Sequence, residues 1–327
     1  MCDDHSKVRV LHVVNLFPTE KHPANGVFVK EQIESLSDDV KCDIYFINKK
    51  ERGYKEYIRG IYNIWQLKSE YDVIHAHQLL SGLACVLAGC RSKLIVSILS
   101  SGNDLIGWWK WFGDLIFKIV ARFSRLLIFK CKVPSEYKDK SVYIPNGVDE
   151  NTFNIKISQL DAKRELGLDE SVKYVLFVSS NNLHRPEKRY DFFLEVIEEL
   201  KVKKPSIKID GLAISNISRE KIPLYYSAAS VHLLTSEVEG SPNSVKESLA
   251  SGCPVVARDV GDIQLLIGNV PGCDLFHDYD VSAVAESIIN SVRRRNKKNI
   301  RAAFIKKKIT RLHIRDRLLK VYTEFCR

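Results

Sequence analysis

The chain has 327 residues, of which 45% are hydrophobic, with only 16 Gly and 10 Pro. This composition is typical of globular proteins and excludes fibrous and low-complexity classes, while the length predicts two domains rather than one. The formal net charge of +10 favours polyanionic partners such as nucleic acid, anionic lipid or phosphorylated substrates.

Neither a membrane span nor a targeting segment is predicted. There is no run of about eighteen apolar residues, and Met1–His5 does not resemble a signal sequence. We therefore expect a cytoplasmic protein. The eight cysteines are scattered without a CxxC pair, so they are interpreted as buried thiols in a reducing compartment, and no metal-ligand cluster is found.

The first half of the chain alternates apolar runs with helical patterns. Five runs have the length of a strand: Val8–Leu16, Cys42–Ile47, Asp72–His77, Leu94–Leu99 and Leu126–Cys131. A helix is predicted over Val27–Leu36. Strands that alternate with helices indicate a parallel sheet covered on both faces.

Within this half, Trp108–Lys132 is basic, with six Lys/Arg against Asp114. Its apolar residues recur at helical spacing. The segment indicates either a helix that faces the core and has solvated cations, or a surface that rests on anionic lipid with Trp at the interface.

The second half repeats the plan after a polar segment, Asn151–Glu170, that we interpret as a linker. Strands are predicted at Tyr174–Ser179, Ile207–Ile214, Val231–Thr235 and Val255–Ala257, and helices at Lys188–Val202, Ile222–Ala229 and from Pro242 to Gly252. The fold class is therefore α/β, with two doubly wound, Rossmann-like domains that face a cleft. There is no GxGxxG and no GxxxxGK[ST], which disfavours dehydrogenases and P-loop enzymes.

The end of the chain is strongly basic. Residues 291–320 hold thirteen Lys/Arg and one acid, Asp316, a net charge of +12, so the rest of the chain sums to −2. Such a segment strengthens attraction to an anionic surface. Its last helix is predicted over Arg311–Phe325.

The most informative stretch is EGSPNSVKE, which places Glu239 and Glu247 eight positions apart. Pro242 suits the first turn of a helix, and Gly240–Ser244 then forms the helix mouth after a strand. The free N–H groups and the positive end of the helix dipole make an anion site there. The alternative is a capping box, in which Glu247 satisfies a backbone N–H opposite Ser244.

A second loop follows the predicted strand Tyr174–Ser179 and carries Arg185 and Lys188. Because carboxyl ends of parallel strands meet at one edge of the sheet, this loop is expected near the helix mouth. An Arg fork and a Lys point charge suit a diphosphate. The alternative is a pair of solvated surface cations.

Taken together, these motifs resemble family 4 retaining glycosyltransferases of the GT-B fold. The E-x7-E pattern resembles the donor-site signature of that family, Arg185–Lys188 its basic diphosphate loop, Asp72–His77 its DVIHxH strand, and Ile144–Asp149 its IPNGVD turn. With Val260–Asp262 downstream, the chain is most similar to the branch that builds bacterial surface polysaccharides such as capsule and lipopolysaccharide.

The resemblance implies an acceptor-side domain at 1–155, a nucleotide-sugar domain at 156–310 and a helix at 311–327 that packs back on the first domain. The implied reaction is transfer of a hexosyl unit, with retention, from a nucleotide sugar to a growing, lipid-linked polysaccharide or oligosaccharide. UDP is the favoured nucleotide. The implied partners are that acceptor and an anionic membrane surface, and neither a metal nor a cofactor is expected.

The resemblance also implies roles for individual residues. Glu247 would bind the donor ribose, Glu239 and the helix mouth would address the donor sugar and diphosphate, and Arg185 and Lys188 would neutralise the departing nucleoside diphosphate. The donor-binding residues of that mouth are Gly240, Ser241, Asn243 and Ser244, and the residues assigned to catalysis are Glu239, Arg185 and Lys188. Preorganised cations would act most strongly on the charge that develops in the transition state.

On the acceptor side, the implied residues are Gly26, His77, Ser101, Gly102 and Asp104. Ser101 stands where many members have a histidine near the reacting centre, and Asn25-Gly26 replaces a Gly-Gly loop. His77 is alternatively a satisfied polar group at a strand end, and Asp104 a helix cap.

Three other functions remain open from the sequence. A nucleotide-sugar epimerase of similar fold would need acid and base residues in the cleft. A nucleic-acid-binding protein is motivated by the basic charge but lacks a recognition motif. A non-catalytic protein would use the same scaffold without a donor site.

Overall fold

The computed structural model describes residues 7–22, 25–99, 108–131, 133–180 and 182–326, with side chains omitted for 108–110. Contacts divide the chain into two compact units. The first unit runs to Gly147 and resumes at Arg311, and the second is Val148–Thr310. The first boundary thus lies before residue 155, because Val148 and Phe153 are buried in the core of the second unit.

The elements follow the chain in this order. The first unit opens with β1 (Arg9–Val14), α1 (Val27–Glu34), β2 (Lys41–Phe46), α2 (Lys49–Arg52), α3 (Lys55–Leu67), β3 (Val73–His77), α4 (Leu79–Leu87), β4 (Leu94–Ile98), α5 (Trp108–Phe123), β5 (Leu126–Phe129) and β6 (Ser141–Tyr143). The second unit contains α6 (Gln159–Glu165), β7 (Lys173–Val178), α7 (Tyr190–Lys203), β8 (Ile209–Ile214), α8 (Ile222–Ala228), β9 (Val231–Leu234), α9 (Asn243–Ala250), β10 (Val255–Arg258), α10 (Ile263–Ile267), β11 (Asp274–Phe276), α11 (Val281–Arg293) and α12 (Lys297–Lys306). The last helix is α13 (Arg311–Phe325).

The sheet of the first unit has the order β2-β1-β3-β4-β5-β6, and all of its strands are parallel. One face packs on α3, α4 and α5, through residues such as Ile64, Cys85 and Val120. The other face is covered in part by α13, where Ile314 and Leu318 are buried. The strands are therefore apolar on both faces, as expected for a parallel sheet.

The sheet of the second unit has the order β11-β10-β9-β7-β8, again wholly parallel. Helices α8, α9, α10 and α12 cover one face, and α7 and α11 cover the other. In this sheet β8 lies on one side of β7, and β9, β10 and β11 lie on the other, so the strand order reverses between β7 and β9. In open α/β sheets, ligands bind at the carboxyl ends of the strands beside such a reversal.

The predicted fold class is confirmed, since the chain forms two doubly wound parallel-sheet domains. The return of the last helix is confirmed as well. Its Tyr322 hydroxyl lies 2.6 Å from His75 Nδ1, and Arg315 Nε donates to Asp39 Oδ2 at 2.9 Å. Helix α13 is therefore a structural part of the first unit.

Two local expectations were wrong. The linker predicted at 151–170 contains helix α6, capped by Ser158, whose hydroxyl accepts from the Asp161 N–H at 3.1 Å. The helix predicted to begin at Lys188 begins at Tyr190, because Pro186–Lys188 is a tight 3₁₀ turn and Arg189 has φ 51°. Arg189 in the left-handed region separates the two helical segments.

The cysteines follow the prediction only in part. None of the seven within the described residues forms a disulfide, and Cys85, Cys90, Cys131 and Cys253 are buried. Cys326 is exposed. Within the same residues, no helix is long and apolar enough to span a membrane.

Candidate functional site

The candidate site of the second unit is built around the start of α9. Pro242 is the N-cap residue, with φ −66°, rather than a residue of the first turn, and no side chain caps the helix. The first N–H groups of an α-helix have no partner within the helix, so this end offers donors to a ligand. The side-chain oxygen of Asn243, Oδ1, is buried there without a hydrogen-bond partner among the described residues.

Two loops are joined beside this helix end, one after β7 and one after β9. The Thr235 hydroxyl donates to the Lys188 carbonyl at 2.6 Å, and the Glu237 N–H donates to the Glu187 carbonyl at 2.8 Å. Since β7 and β9 are neighbours in the sheet, their carboxyl ends bring the loops together. The sequence prediction that both loops share one edge is therefore correct.

A third loop, after β10, supports the backbone of the candidate site. The Asp262 N–H donates to the Gly240 carbonyl at 3.1 Å. Gly261 has φ +61°, and a Cβ there would lie 2.3 Å from the Gly240 carbonyl oxygen. Only glycine fits so close to the other loop, so this residue fixes the path of Glu239 and Gly240.

Lys188 and Glu239, both predicted to be catalytic, form an ion pair. Lys188 Nζ lies 2.5 Å from Glu239 Oε1, and the two side chains are 17% and 15% exposed. In so enclosed a place the pair interacts more strongly than one in water. The lysine charge is thus held next to the α9 start, with a carboxylate as its partner.

Arg185 is also paired, but in a more open position. Its Nε donates to Glu187 Oε1 at 2.8 Å, and the arginine side chain is 42% exposed. Although burial opposes the shift, the pKa of Glu187 is lowered by its own backbone N–H and by the hydrogen bond from Arg185, with the charges of Arg185 and Lys188 adding to the effect. Arg185 and Lys188 lie on the same loop, but Lys188 is ion-paired with Glu239, whereas Arg185 is ion-paired with Glu187.

Glu247 is buried and is not a helix cap. Its Oε1 accepts from Arg219 Nη1 at 2.5 Å, and its Oε2 accepts from the Tyr226 hydroxyl at 3.2 Å. Burial, with Glu247 adding to it, raises the pKa of Tyr226 well above its ordinary value, so the phenol stays a donor. The capping-box alternative is therefore wrong, because the helix begins at Asn243 and the carboxylate points to α8 and its preceding loop.

Arg219 and Lys246 are residues of the site that sequence reasoning missed. Arg219 lies over the ring of Phe153, 4.8 Å from its centroid. Lys246 is buried and donates to Ser241 Oγ at 3.0 Å. Burial lowers the pKa of Lys246 to about 8, with Asp262 and Glu247 opposing the shift. The available signals were a cation in the loop after β8 and a lysine between Val245 and Leu249, the large apolar residues of α9.

The remaining donor-site predictions are placed as follows. Gly240, Ser241, Asn243 and Ser244 are all half-buried around the start of α9. Together with Lys188 and Lys246, these residues place N–H, hydroxyl and ammonium donors near the start of the helix. This arrangement suits an anion such as a phosphate, and Glu239 and Glu247 add acceptors for hydroxyl groups.

In the first unit, Gly26 and His77 are the described members of the acceptor-side set. Gly26 is the N-cap residue of α1 with φ +63°, and a Cβ there would lie 2.3 Å from the Leu16 carbonyl oxygen. His77 ends β3 and is buried. Ser101, Gly102 and Asp104 lie outside the described residues.

His77 belongs to a group of three buried histidines that the sequence did not reveal. His12 and His75 are opposite each other on β1 and β3, and His77 lies on the same face of β3. Their ligand atoms lie within 4.8 Å of one another, so they could hold a metal ion. The expectation of no metal-ligand cluster missed them because His12 comes from another strand.

The hydrogen bonds of these histidines are internal to the unit. His12 Nδ1 lies 3.1 Å from His77 Nε2, and His75 Nε2 lies 2.8 Å from Ser97 Oγ. Burial lowers the pKa of His12 to about 3 and those of His75 and His77 well below the ordinary range. All three rings are therefore neutral at pH 7.

The sequence of the second unit is similar to a known protein family, and the fold is similar to solved structures. Residues 172–294 match the family model of "Glycosyl transferases group 1". No curated protein sequence matches the chain. The fold is similar to sucrose-phosphate synthase from Thermosynechococcus elongatus, with TM-score 0.76, 15% identity, and coverage of 97% of this chain and 98% of that one.

Two further structures are similar over the same extent. Anabaena Alr3699/HepE in complex with UDP-glucose has TM-score 0.70 and 14% identity, covering 97% of this chain and 99% of that one. The lipopolysaccharide outer core galactosyltransferase WaaB has TM-score 0.65 and 11% identity, covering 97% and 100%. At these identities the likeness shows the fold. The chain has the GT-B fold, and its residues 172–294, which contain the site described above, match a glycosyl transferases group 1 domain, which supports a glycosyltransferase.

Proposed function

We propose that the protein is a family 4 retaining glycosyltransferase that transfers a hexosyl unit from a nucleotide sugar to a growing surface polysaccharide or oligosaccharide. One observation carries the proposal. The Lys188–Glu239 pair, the anchored Glu247 and the start of α9 lie together within the residues that match the glycosyl transferases group 1 model.

In this mechanism the diphosphate of the donor binds at the start of α9. The first N–H groups of the helix and the ammonium groups of Lys188 and Lys246 receive its oxygens. When the glycosidic bond breaks, the leaving nucleoside diphosphate gains negative charge. Donors already in place stabilise that charge more in the transition state than in the bound substrate, which accelerates the reaction.

The carboxylates recognise hydroxyl groups. Glu247, held by Arg219 and Tyr226, accepts hydrogen bonds from the ribose, because its rotamer is already fixed by those two partners. Glu239 addresses the donor sugar. Binding of the diphosphate gives Lys188 a second anionic partner, so Glu239 becomes available to the sugar as Lys188 turns to the phosphate. Arg185 contributes long-range charge from its more exposed position.

UDP is the proposed nucleotide, and the neutralisation of its diphosphate is assigned to protein donors, with no metal or cofactor. The support is that HepE, which shares the fold, is seen with UDP-glucose. Retention of anomeric configuration follows from the resemblance to family 4. Synthesis of a bacterial surface polysaccharide, as in capsule or lipopolysaccharide, is supported by the shared fold of WaaB.

The proposed acceptor is lipid-linked, which would hold the enzyme at the anionic inner surface of a membrane. Gly26, His77, Ser101, Gly102 and Asp104 are proposed for the acceptor side. Gly26 lets the loop before α1 approach the Leu16 carbonyl closely, and His77 ends a strand whose carboxyl end faces the loops of the first unit.

The test is a calorimetric titration of UDP and GDP into wild type, Glu247→Ala and Lys188→Ala. We expect micromolar binding of UDP, weakened by about 1–3 kcal/mol in each variant, the range for hydrogen bonds to charged groups. Glu198→Ala and Lys208→Ala, which remove exposed charges of the same unit, are the matched controls. Absence of binding by wild type would overturn the proposal.

A second measurement tests the stereochemistry. Once UDP binds, incubation with UDP-hexoses and a lipid-linked saccharide should yield a product with the anomeric configuration of the donor. The coupling constant of the new anomeric proton reports this directly. An inverted product would leave the donor site in place and remove the assignment to a retaining family.

A further inference from the structure

The helices on one face of the first sheet expose an unusual set of apolar side chains. Helix α3 packs on α4, α4 packs on α5, and all three bury their inner residues against the same face of the sheet. We name their outer side the three-helix face, formed by Tyr54, Ile58, Tyr62, Trp65, Leu80, Leu87, Trp111, Phe112 and Leu115. Each of these side chains is exposed to solvent.

The stripe on α3 is the clearest part. Tyr54, Ile58, Tyr62 and Trp65 recur at helical spacing, so they lie along one side of the helix. Ile58 is 73% exposed and Trp65 is 56% exposed, whereas Ile64 on the opposite side is fully buried. The helix is thus apolar both inward and outward, and packing on the sheet accounts only for the inner side.

The aromatic residues are concentrated on this face. Among the described residues, all five large aromatic side chains that are exposed belong to it, and the exposed apolar residues elsewhere are aliphatic. The four tryptophans of the chain, at positions 65, 108, 109 and 111, all lie in α3 or α5. Tryptophan and tyrosine are the side chains enriched where protein meets the headgroup level of a bilayer.

Positive charge borders the apolar stripe. Residues 49–68 contain six Lys/Arg and two acids. Of the acids, Glu56 is buried and is paired with Arg59 at 2.5 Å, while Glu51 is exposed among the exposed cations Lys50, Arg52 and Lys55. Helix α5 continues the pattern with exposed Lys118 and Arg122 against exposed Asp114. An apolar surface with a cationic border is complementary to anionic lipid.

We propose that the three-helix face docks on an anionic membrane surface, with Ile58 and Trp65 inserted at the headgroup level. A second copy of the chain fits less well, because an isologous contact would place the basic border against itself. The purpose of the docking, access to a lipid-linked acceptor, rests on the proposed function. The docking surface itself follows from the exposed apolar side chains and the cationic residues beside them.

The test is sedimentation of the protein with phosphatidylcholine vesicles, with and without phosphatidylglycerol, in the absence of nucleotide. We expect binding to the anionic vesicles, and quenching of tryptophan emission by brominated lipid. Ile58→Ser with Trp65→Ser, and separately Lys50→Glu with Lys55→Glu, should each weaken binding by roughly tenfold or more. These substitutions are at exposed positions, so folding should be retained.

The matched control is Leu194→Ser with Val202→Ser on α7, which removes exposed apolar side chains from the second unit and should leave vesicle binding unchanged. Equal binding by wild type and by both double variants would overturn the proposal. A lack of vesicle binding by wild type would also overturn it, and in that case a concentration-dependent dimer that Ile58→Ser with Trp65→Ser abolishes would assign the face to a second copy. A negative result with vesicles would not change the expected outcome of the UDP titration, so each proposal can be overturned without the other.

Discussion

In the second unit the buried charged groups Lys246 and Glu247 lie where loops meet helix α9, whereas in the first unit the buried histidines lie within the sheet. Glu247 has Arg219 and Tyr226 as partners, and Lys246 has Ser241. The histidines contact one another, Ser97 and Tyr322, and burial, with the nearby charge of Lys130 adding to it for His75 and His77, keeps them uncharged. The contrast is thus between charged side chains that are paired beside the proposed ligand site and histidines that are kept neutral inside the sheet.

The largest expected effect is a difference in acid stability between the units. A histidine whose native pKa lies below its ordinary 6.5 takes up a proton more readily when unfolded, so stability falls as pH drops below 6.5. A group such as His12, whose native pKa is about 3, costs ~2 kcal/mol at pH 5, from ~1.4 kcal/mol per pH unit. The first unit has three histidines whose pKa burial lowers, and the second has His232, whose pKa burial lowers to about 4.

The first unit should therefore lose more stability than the second as pH falls from 6.5 to 5, because it has three such histidines against one. Urea unfolding followed by tryptophan emission reports the first unit alone, because all four tryptophans belong to it. Far-ultraviolet circular dichroism reports both units. If the two signals shift together with pH, the contrast between the units does not hold in solution.

How much of the candidate site was predictable depends on how far apart its residues are in sequence. Glu239, Glu247 and the helix start form one continuous stretch, which the sequence shows directly. Arg219 and Tyr226 are 28 and 21 positions away from Glu247, and no local pattern links them to it. The capping box was a reasonable local alternative, but a tertiary ion pair determines where Glu247 points.

The fold was predictable for a similar reason. Buried parallel strands are nearly continuous apolar runs, so β1, β3 and β4 stand out, and their sheet class follows. What the pattern does not contain is register. His12 meets His75 only because β1 and β3 are neighbours in that alignment, and helix α6 was missed because its segment is polar on most sides.

The next effect in size compares tight glycines in the two units. Gly261→Ala and Gly26→Ala each place a Cβ 2.3 Å from a carbonyl oxygen at positive φ. We expect each to destabilise its unit by ~2–4 kcal/mol, of which ~1 kcal/mol is backbone strain and the rest the forced shift. Urea unfolding of the two variants measures this loss.

Each unit offers its own control. Gly167 and Gly53 also have positive φ, but a Cβ at either position meets nothing within 4 Å. Ala should cost only ~1 kcal/mol at Gly167, and ~1–3 kcal/mol at Gly53, whose ψ of −176° lies in a region that is nearly restricted to glycine. Gly261→Ala should also weaken UDP binding, because it displaces Gly240, while Gly26→Ala should not. Equal nucleotide affinity in both tight variants would argue against a donor site at the start of α9.

The smallest expected effect concerns Lys246, whose pKa of about 8 is set by burial. A bound diphosphate near Ser241 would favour the charged lysine and raise its pKa, so binding should take up a proton and weaken as pH rises from 7 to 9. The loss should be a few-fold, or ~1 kcal/mol, for one partly titrated group.

Calorimetry in buffers of different ionisation enthalpy measures the proton uptake. Lys246→Met should abolish it, whereas Lys208→Met, at an exposed lysine of the same unit, should preserve it. Proton uptake that persists in Lys246→Met would assign the titrating group elsewhere and leave the ion pair of Lys188 as the main cationic contact.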